Sequence, residues 1–146
     1  NRVAAELGFT LRVQLSRDEF EVRVDAGRVH RPGATYFIPD VYVFPVSYVT
    51  PELRAGALLE VYDQPLPFVA EVWSHSTGAY DLTEKLAVYQ QRGDEEIWYL
   101  HPIERTFTAK RKQPDGSYSE THYTGGLVPV LSLPGVAIDL DALLDG

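Results

Sequence analysis

The sequence predicts a single mixed α/β domain with a largely antiparallel sheet and one prominent helix. Residues 66–73 form a nearly continuous apolar run, which is typical of a central strand buried on both faces. Residues 81–92 then show apolar side chains at helical spacing and stop at Gly93, a favoured helix terminator. Segments with strand character lie before and after this pair, so the order predicts a sheet flanked by helices.

The first third of the chain is predicted to hold one short helix and three extended segments. Residues 1–8 resemble the end of a helix that Gly8 terminates. Residues 9–15 alternate strictly between apolar and polar side chains, which predicts a half-buried strand. The segments 20–24 and 36–44 are also predicted to be extended.

The second half of the chain contains a strong hairpin signal. Two alternating segments, 105–112 and 117–123, flank a Gln-Pro-Asp-Gly turn at 113–116. The segment 96–100 is predicted to be a further strand, and residues 133–144 a short strand or turn followed by a helix. The chain length of 146 residues suits one domain with a real core.

Composition excludes several classes of protein. The absence of cysteine excludes disulfides, thiolate metal sites and a cysteine nucleophile. No apolar stretch is long enough to span a membrane. Because the chain has no cysteine, a reducing cytoplasm is the natural compartment, and we expect a cytoplasmic protein. With 13 Lys and Arg against 21 Asp and Glu, the net charge of −8 argues against broad non-specific affinity for nucleic acid. An acidic cluster, Asp94-Glu95-Glu96, adds to this charge.

Glu71 is the most informative single residue, because it lies inside the apolar run 66–73. An ionised carboxylate is costly to bury without a partner, so a glutamate there has a structural or chemical reason. Two ordinary explanations stay open at this point: Glu71 points to solvent at the end of its strand, or it pairs with an arginine.

Asp40 is the second candidate, in the Pro39-Asp40 pair that opens an extended segment. By itself an aspartate after proline is typical of a turn or the start of a strand. If its strand neighbours that of Glu71, however, the two carboxylates form a hard-oxygen site of the kind that Mg²⁺ or Mn²⁺ accepts.

Asp81, Lys85 and Tyr89 follow at intervals of four and share one face of the predicted helix. An ordinary surface ion pair between Asp81 and Lys85 explains the same spacing. Because this helix directly follows the strand of Glu71, Lys85 can also point back toward that carboxylate. The four histidines show no spacing typical of a zinc site.

Taken in order, three segments resemble the Uma family of restriction endonucleases, within the PD-(D/E)XK nuclease-like superfamily. They are PDVYVF at 39–44, the run from PLPFVAEVW to WYLHP at 65–102, and LPGVAIDLDALL at 133–144. The likeness is close over residues 36–102 and looser in the last segment. It implies a restriction-endonuclease-like mixed sheet flanked by helices, here with an additional antiparallel hairpin.

The resemblance also implies which residues form the site. Asp40 and Glu71 match the acidic metal-binding pair, and Val72 matches the residue that offers its main-chain carbonyl. Trp73 stands where the superfamily's usual lysine would be, so the lysine is matched by Lys85 on the following helix. The supporting residues implied are Asp81, Ser74 and Tyr89.

The implied activity is that of a Mg²⁺- or Mn²⁺-dependent endonuclease acting on DNA, and homodimers are common in the superfamily. The alternative is a catalytically inactive binding or assembly module on the same scaffold, with Trp73 and Trp98 at a dimer interface. His75 and His101 depart from the family pattern, where proline and aspartate are common. We also expect that the chain as given lacks part of the family's N-terminal helical region.

Overall fold

A six-stranded sheet forms the centre of the structure, which is a computed structural model describing residues 1–30, 36–56, 60–75 and 79–146. The helices are α1 (Arg2–Gln14), α2 (Pro51–Arg54), α3 (Ala79–Arg92) and α4 (Leu140–Asp145), with a 3₁₀ turn at Val46–Tyr48. The strands are β1 (Phe20–Val24), β2 (Arg28–His30), β3 (Tyr36–Phe37), β4 (Val41–Pro45), β5 (Val61–Tyr62), β6 (Phe68–Val72), β7 (Glu96–His101), β8 (Thr106–Lys112), β9 (Tyr118–Tyr123), β10 (Leu127–Pro129) and β11 (Ala137–Asp139).

The strand order of the central sheet is β1-β4-β6-β7-β8-β9. Its described neighbours are antiparallel except β6 and β7, which run parallel and are joined by α3. Two small sheets accompany it, β3-β2-β5 and β10-β11. The predicted mixed fold is thus confirmed, and the predicted hairpin, β8 and β9, forms one edge of the sheet.

Alternating side chains divide the core into two apolar clusters on opposite faces of the central sheet. On β4, Val41 and Val43 point into one cluster, whereas Tyr42 and Phe44 point into the other. Residues of α1, α4 and the β10-β11 sheet cover the first face. Residues of α3 and the β3-β2-β5 sheet cover the second. All five residues of β6 are buried, as the apolar run predicts.

The prediction of a strand at 9–15 is wrong, because α1 continues to Gln14. Val3, Leu7 and Leu11 are spaced by four residues and form the buried face of this helix. The alternation is a coincidence of the sequence: of its apolar members, Phe9 is 60% and Val13 65% exposed.

Gly8 does not end the helix but allows α1 to lie close to the sheet. A Cβ atom placed at Gly8 would collide with the side chain of Val24 on β1. This contact joins residues far apart in sequence, and so the local pattern did not reveal it.

The extended run predicted at 36–44 is divided between two sheets. Tyr36–Phe37 pairs with β2 in a small sheet, and the central-sheet strand β4 begins only at Val41. Pro39 and Asp40 lie between the two. Proline lacks the N–H that a ladder needs, which fits this break.

A buried ion pair between Arg92 and Asp94 lies at the C-terminal end of α3. The side chains of Arg92 and Asp94 are 1% and 0% exposed, and their Nε and Oδ2 atoms lie 3.2 Å apart. Arg92 also donates to the carbonyls of Tyr62 and Gln64, and Asp94 accepts from the backbone N–H of Leu66. Burial raises the pKa of Asp94 to about 6, while Arg92 acts in the opposite direction.

Replacing Arg92 by Met should lower the free energy of unfolding by roughly 3–5 kcal/mol, because Asp94 would remain buried without its cation. Urea unfolding at neutral pH measures this loss. The matched control is Arg105→Met, which removes an ion pair with Asp145 from a side chain that is 42% exposed. That loss should stay within about 1 kcal/mol. Equal losses in the two variants would contradict the assignment.

Candidate active site

Asp40 and Glu71 meet at the edge of the sheet where β6 ends and β4 begins. The two strands are antiparallel, with Val41 opposite Ala70, so Asp40 lies beside the residues that end β6. The Oδ2 atom of Asp40 accepts a hydrogen bond from the backbone N–H of Val72 at 2.7 Å. Asp40 directly precedes Val41, the first residue of β4. Its carboxylate therefore adds one more hydrogen bond to the ladder between β4 and β6.

Glu71 does not point to solvent, nor does it pair with an arginine. Its side chain is 3% exposed and lies on the same face of β6 as Val69, beneath α3. The hydroxyl of Tyr89 donates to its Oε1 atom at 2.5 Å. The ammonium group of Lys85 lies 3.1 Å from the same oxygen. Lys85 also donates to the backbone carbonyl of Ile38 at 3.1 Å, which fixes its direction.

The electrostatics of the site favour a proton on Glu71. Burial is the main cause, and the nearby Asp40 carboxylate adds to it; together they raise the pKa of Glu71 to about 8. Lys85 and the Tyr89 hydrogen bond act in the opposite direction without cancelling the shift. Burial and the neighbouring Glu71 raise the pKa of Tyr89 well above its ordinary value, so this hydroxyl stays a donor.

The main-chain carbonyl of Val72 points to the side of β6 on which Asp40 lies. In an extended strand the N–H and C=O of one residue point to the same side, and the N–H of Val72 points to Asp40. Ser74 is half-buried just beyond the strand. Asp81 lies in the first turn of α3, but its side chain falls outside the described part of the structure.

Four of the predicted residues thus come together: Asp40, Glu71, Lys85 and Tyr89. No cluster of three or more His, Asp or Glu side chains suited to a metal ion occurs among the described residues. Among the described side chains, the acidic groups that the structure brings together here are Asp40 and Glu71.

Sequence reasoning missed an aromatic group beside these residues. The rings of Trp73 and His101 stack with centroids 4.2 Å apart and an angle of 15° between their planes. The ring of His75 meets Trp73 edge-on at 4.9 Å. Trp73 and His101 follow Val72 and Leu100, which are neighbours on the parallel strands β6 and β7. The stacking depends on this register, which the sequence alone does not reveal.

Trp98, by contrast, does not lie at a surface. It is 0% exposed and packs between Phe68 and Phe107, while its indole N–H donates to Glu96. The expectation that it serves a dimer interface in the alternative function is therefore wrong for this residue.

Comparison with known proteins identifies the family. A sequence model of the Uma2 family, described as "Putative restriction endonuclease", matches residues 1–141. The chain belongs to this family. Its fold is similar to the crystal structure of "a putative nuclease belonging to DUF820" from Anabaena variabilis ATCC 29413, with a TM-score of 0.78 and 17% identity. The match covers 99% of this chain and 79% of that one. No curated protein matches the chain significantly.

These findings confirm the Uma-family resemblance and the mixed sheet flanked by helices that it implies. They indicate a nuclease of the restriction-endonuclease-like class. In the described ranges no helix is long and apolar enough to cross a bilayer. The single-domain organisation, the cytoplasmic location, the homodimer and the roles of the site residues stay predictions.

Because the pKa of Glu71 is raised, we expect the free energy of unfolding of this Uma2-family protein to fall with rising pH in buffer without divalent cations. The folded protein retains a proton that the unfolded chain, with an ordinary pKa of 4.5, has already lost. The resulting stabilisation is present below pH 4.5 and is lost as pH rises through about 8. The melting temperature should therefore fall between pH 6 and 8, and Glu71→Gln should flatten that fall.

The window above pH 6 is chosen because Asp94, with its pKa raised to about 6, causes a similar fall at lower pH. Differential scanning calorimetry of both proteins gives the two slopes. Glu52→Gln is the control, since that side chain is exposed, and it should keep the wild-type slope. A Glu71→Gln slope equal to wild type would show that Glu71 ionises normally.

Proposed function

We propose that this protein is a Mg²⁺- or Mn²⁺-dependent endonuclease that hydrolyses phosphodiester bonds of DNA at the site formed by Asp40, Glu71 and Lys85. The observation that carries the proposal is the convergence of these groups. An ammonium group lies 3.1 Å from a buried carboxylate, and a second carboxylate stands beside it at the end of a neighbouring strand. Family membership supports the same class of reaction.

Asp40 and Glu71 would hold the cation through carboxylate oxygens, and Val72 through its main-chain carbonyl. This donor set fits, because Mg²⁺ prefers oxygen and is commonly held by one or two carboxylates together with water and substrate phosphate. The raised pKa of Glu71 supports the fit, since a cation between two neighbouring acidic groups relieves their repulsion. When bound, such a cation polarises the phosphoryl oxygen and lowers the pKa of a coordinated water.

Lys85 would supply positive charge beside the acidic pair, of which Glu71 is buried and Asp40 half-buried. Within the described ranges its ammonium group contacts Glu71 and the Ile38 carbonyl, two partners for three N–H donors. A remaining donor can orient the attacking water or stabilise negative charge that develops on the phosphate. Tyr89 would act as a positioning residue, because its hydroxyl holds Oε1 of Glu71 and favours the ionised carboxylate. Ser74 and Asp81 complete the proposed support.

The net charge stays at −8, but the acidic cluster at 94–96 is a weaker objection to a DNA substrate than the sequence suggested. Within the acidic cluster at 94–96, Asp94 and Glu96 are 0% and 1% exposed, and they pair with Arg92 and Arg111. Two of the three charges are therefore neutralised in the interior and present no acidic surface to a polyanion.

Cleavage of supercoiled plasmid and of single-stranded DNA, with Mg²⁺ or Mn²⁺ and with an EDTA control, tests the proposal. Glu71→Gln removes a ligand charge, and Lys85→Met removes the ammonium group. Each should lower the cleavage rate at least about 100-fold.

Lys110→Met is the matched control, because the ammonium group of Lys110 contacts Gln90 on the opposite end of α3. It should cleave like wild type. Failure of the wild-type protein to cleave, together with no thermal shift on adding Mn²⁺, would refute the nuclease and favour the binding or assembly module. Equal activity of all variants would place the chemistry elsewhere.

Tyr89→Phe tests the positioning role separately. Loss of the hydrogen bond should raise the pKa of Glu71 further, so protons compete more strongly with the cation. The acid limb of the pH profile of kcat/KM should move to higher pH, and more Mg²⁺ should be needed for half-maximal rate. Tyr118→Phe is the control, since that hydroxyl donates to the Asp94 carbonyl. A uniform loss of rate at every pH would indicate a merely structural role.

A further inference from the structure

We propose that Trp73 stacks against a nucleobase of the substrate next to the phosphate that is cleaved. Its ring is stacked on His101 and makes a T-shaped contact with His75. These three residues are called the aromatic cluster below. The inference rests on the proposed function for its substrate and adds a base-contacting surface to the groups that act on the phosphate.

The aromatic cluster is held rigidly at the same edge of the sheet as the two carboxylates. The backbone N–H of Trp73 donates to the carbonyl of Leu100 at 2.8 Å, so Trp73 continues the β6–β7 ladder by one step. His101 is the last residue of β7 and stands beside it. Parallel neighbours lie about 4.8 Å apart, which explains why the two rings can stack.

The distance from the acidic pair suits contact with a nearby nucleotide. Trp73 follows Glu71 by two positions, so their side chains leave the same face of the strand, roughly 6.6 Å apart along the chain. The bases of a single strand are free to stack on an aromatic side chain. A phosphate at Glu71 thus places the base one or two nucleotides away within reach of Trp73.

The chemistry of the cluster suits a nucleobase better than other groups. Trp73 and His101 are only partly buried, and His75 is exposed, so planar aromatic surface reaches solvent beside a site for phosphate. Every base has a π-face, and stacking on an aromatic side chain contributes about 1–3 kcal/mol per base. In a chain of net charge −8 long-range attraction of DNA is weak, and stacking supplies affinity that does not depend on charge.

Tryptophan fluorescence gives a direct readout, because the chain has two tryptophans and Trp98 is 0% exposed. The probe is a single-stranded oligonucleotide of about 12 nucleotides, titrated into the full chain with Ca²⁺ in place of Mg²⁺, so that an oxygen-binding cation is present at the acidic pair. A denaturing gel verifies that the probe stays uncleaved. Binding should quench the emission of Trp73. An abasic oligonucleotide with the same number of phosphates should bind about 5- to 150-fold more weakly and quench little.

Variants assign the effect to the ring. Trp73→Leu should lower affinity, measured by anisotropy of a labelled oligonucleotide, by the same 5- to 150-fold factor, whereas Trp73→Phe should retain most of it. Phe9→Leu is the matched control, because Phe9 is 60% exposed on α1, across the sheet from α3, and should bind like wild type. The comparison of the two oligonucleotides uses the wild-type protein and stands even if Trp73→Leu fails to fold.

The outcomes separate this inference from the proposed function. Equal binding of abasic and base-containing oligonucleotides, or wild-type affinity in Trp73→Leu, would overturn the stacking surface and leave the aromatic cluster a packing element. Metal-dependent cleavage can still be observed in that case. Conversely, base-dependent and Trp73-dependent binding without cleavage in Mg²⁺ or Mn²⁺ would support the stacking surface while refuting the nuclease. Absence of any oligonucleotide binding would overturn the inference.

Discussion

The position of β6 between β4 and β7 is the constraint on which the candidate site depends. Antiparallel pairing with β4 brings Asp40 to the end of β6, and parallel pairing with β7 requires a crossover, which α3 provides. The same crossover carries Lys85 and Tyr89 back over the strand that holds Glu71. Residues up to 49 positions apart, about a third of the chain, therefore meet because of three adjacent strands and one helix.

A buried carboxylate at the centre of this arrangement is a cost that the rest of the site offsets only in part. Tyr89 and Lys85 each stabilise the charged form of Glu71, yet burial and the second carboxylate outweigh them, and its pKa rises to about 8. An apolar residue at position 71 would suit the core better, since its strand neighbours are all buried. Glu71 thus lowers local stability, and a bound cation would reverse this effect. A carboxyl group with so strongly perturbed a pKa is typical of a functional site.

Charge elsewhere in the chain is arranged differently. Asp94 and Glu96 are as buried as Glu71, but each meets an arginine and further donors, such as the N–H of Leu66 and that of Ser132. These carboxylates accept hydrogen bonds from the protein's own arginines and backbone, Asp94 just after α3 and Glu96 at the start of β7. Their contacts are structural. The contrast is physical: Asp94 and Glu96 each have an arginine and a backbone donor, whereas Glu71 lies near a second carboxylate and its pKa stays raised despite Lys85 and Tyr89.

Sequence alone determined the features that depend on near neighbours in the chain. The apolar run of β6, the end of α3 at Gly93 and the turn between β8 and β9 each reflect local preferences, and Gly93 and Gly116 adopt the positive φ that glycine favours. The choice of Asp40, Glu71, Lys85 and Tyr89 as candidates also came from sequence, through strand order, helical spacing and the family resemblance.

Only the tertiary structure decided the features that depend on distant contacts. Residues 9–14 are helical because the face of α1 that carries Leu7 and Leu11 packs on the sheet, and Gly8 allows the close approach to Val24. The direction of Lys85, the raised pKa of Glu71 and the stacking of Trp73 on His101 likewise arise from groups far apart in sequence. Periodicity reports which side chains share a face of one element, whereas burial and charge depend on which other element covers that face.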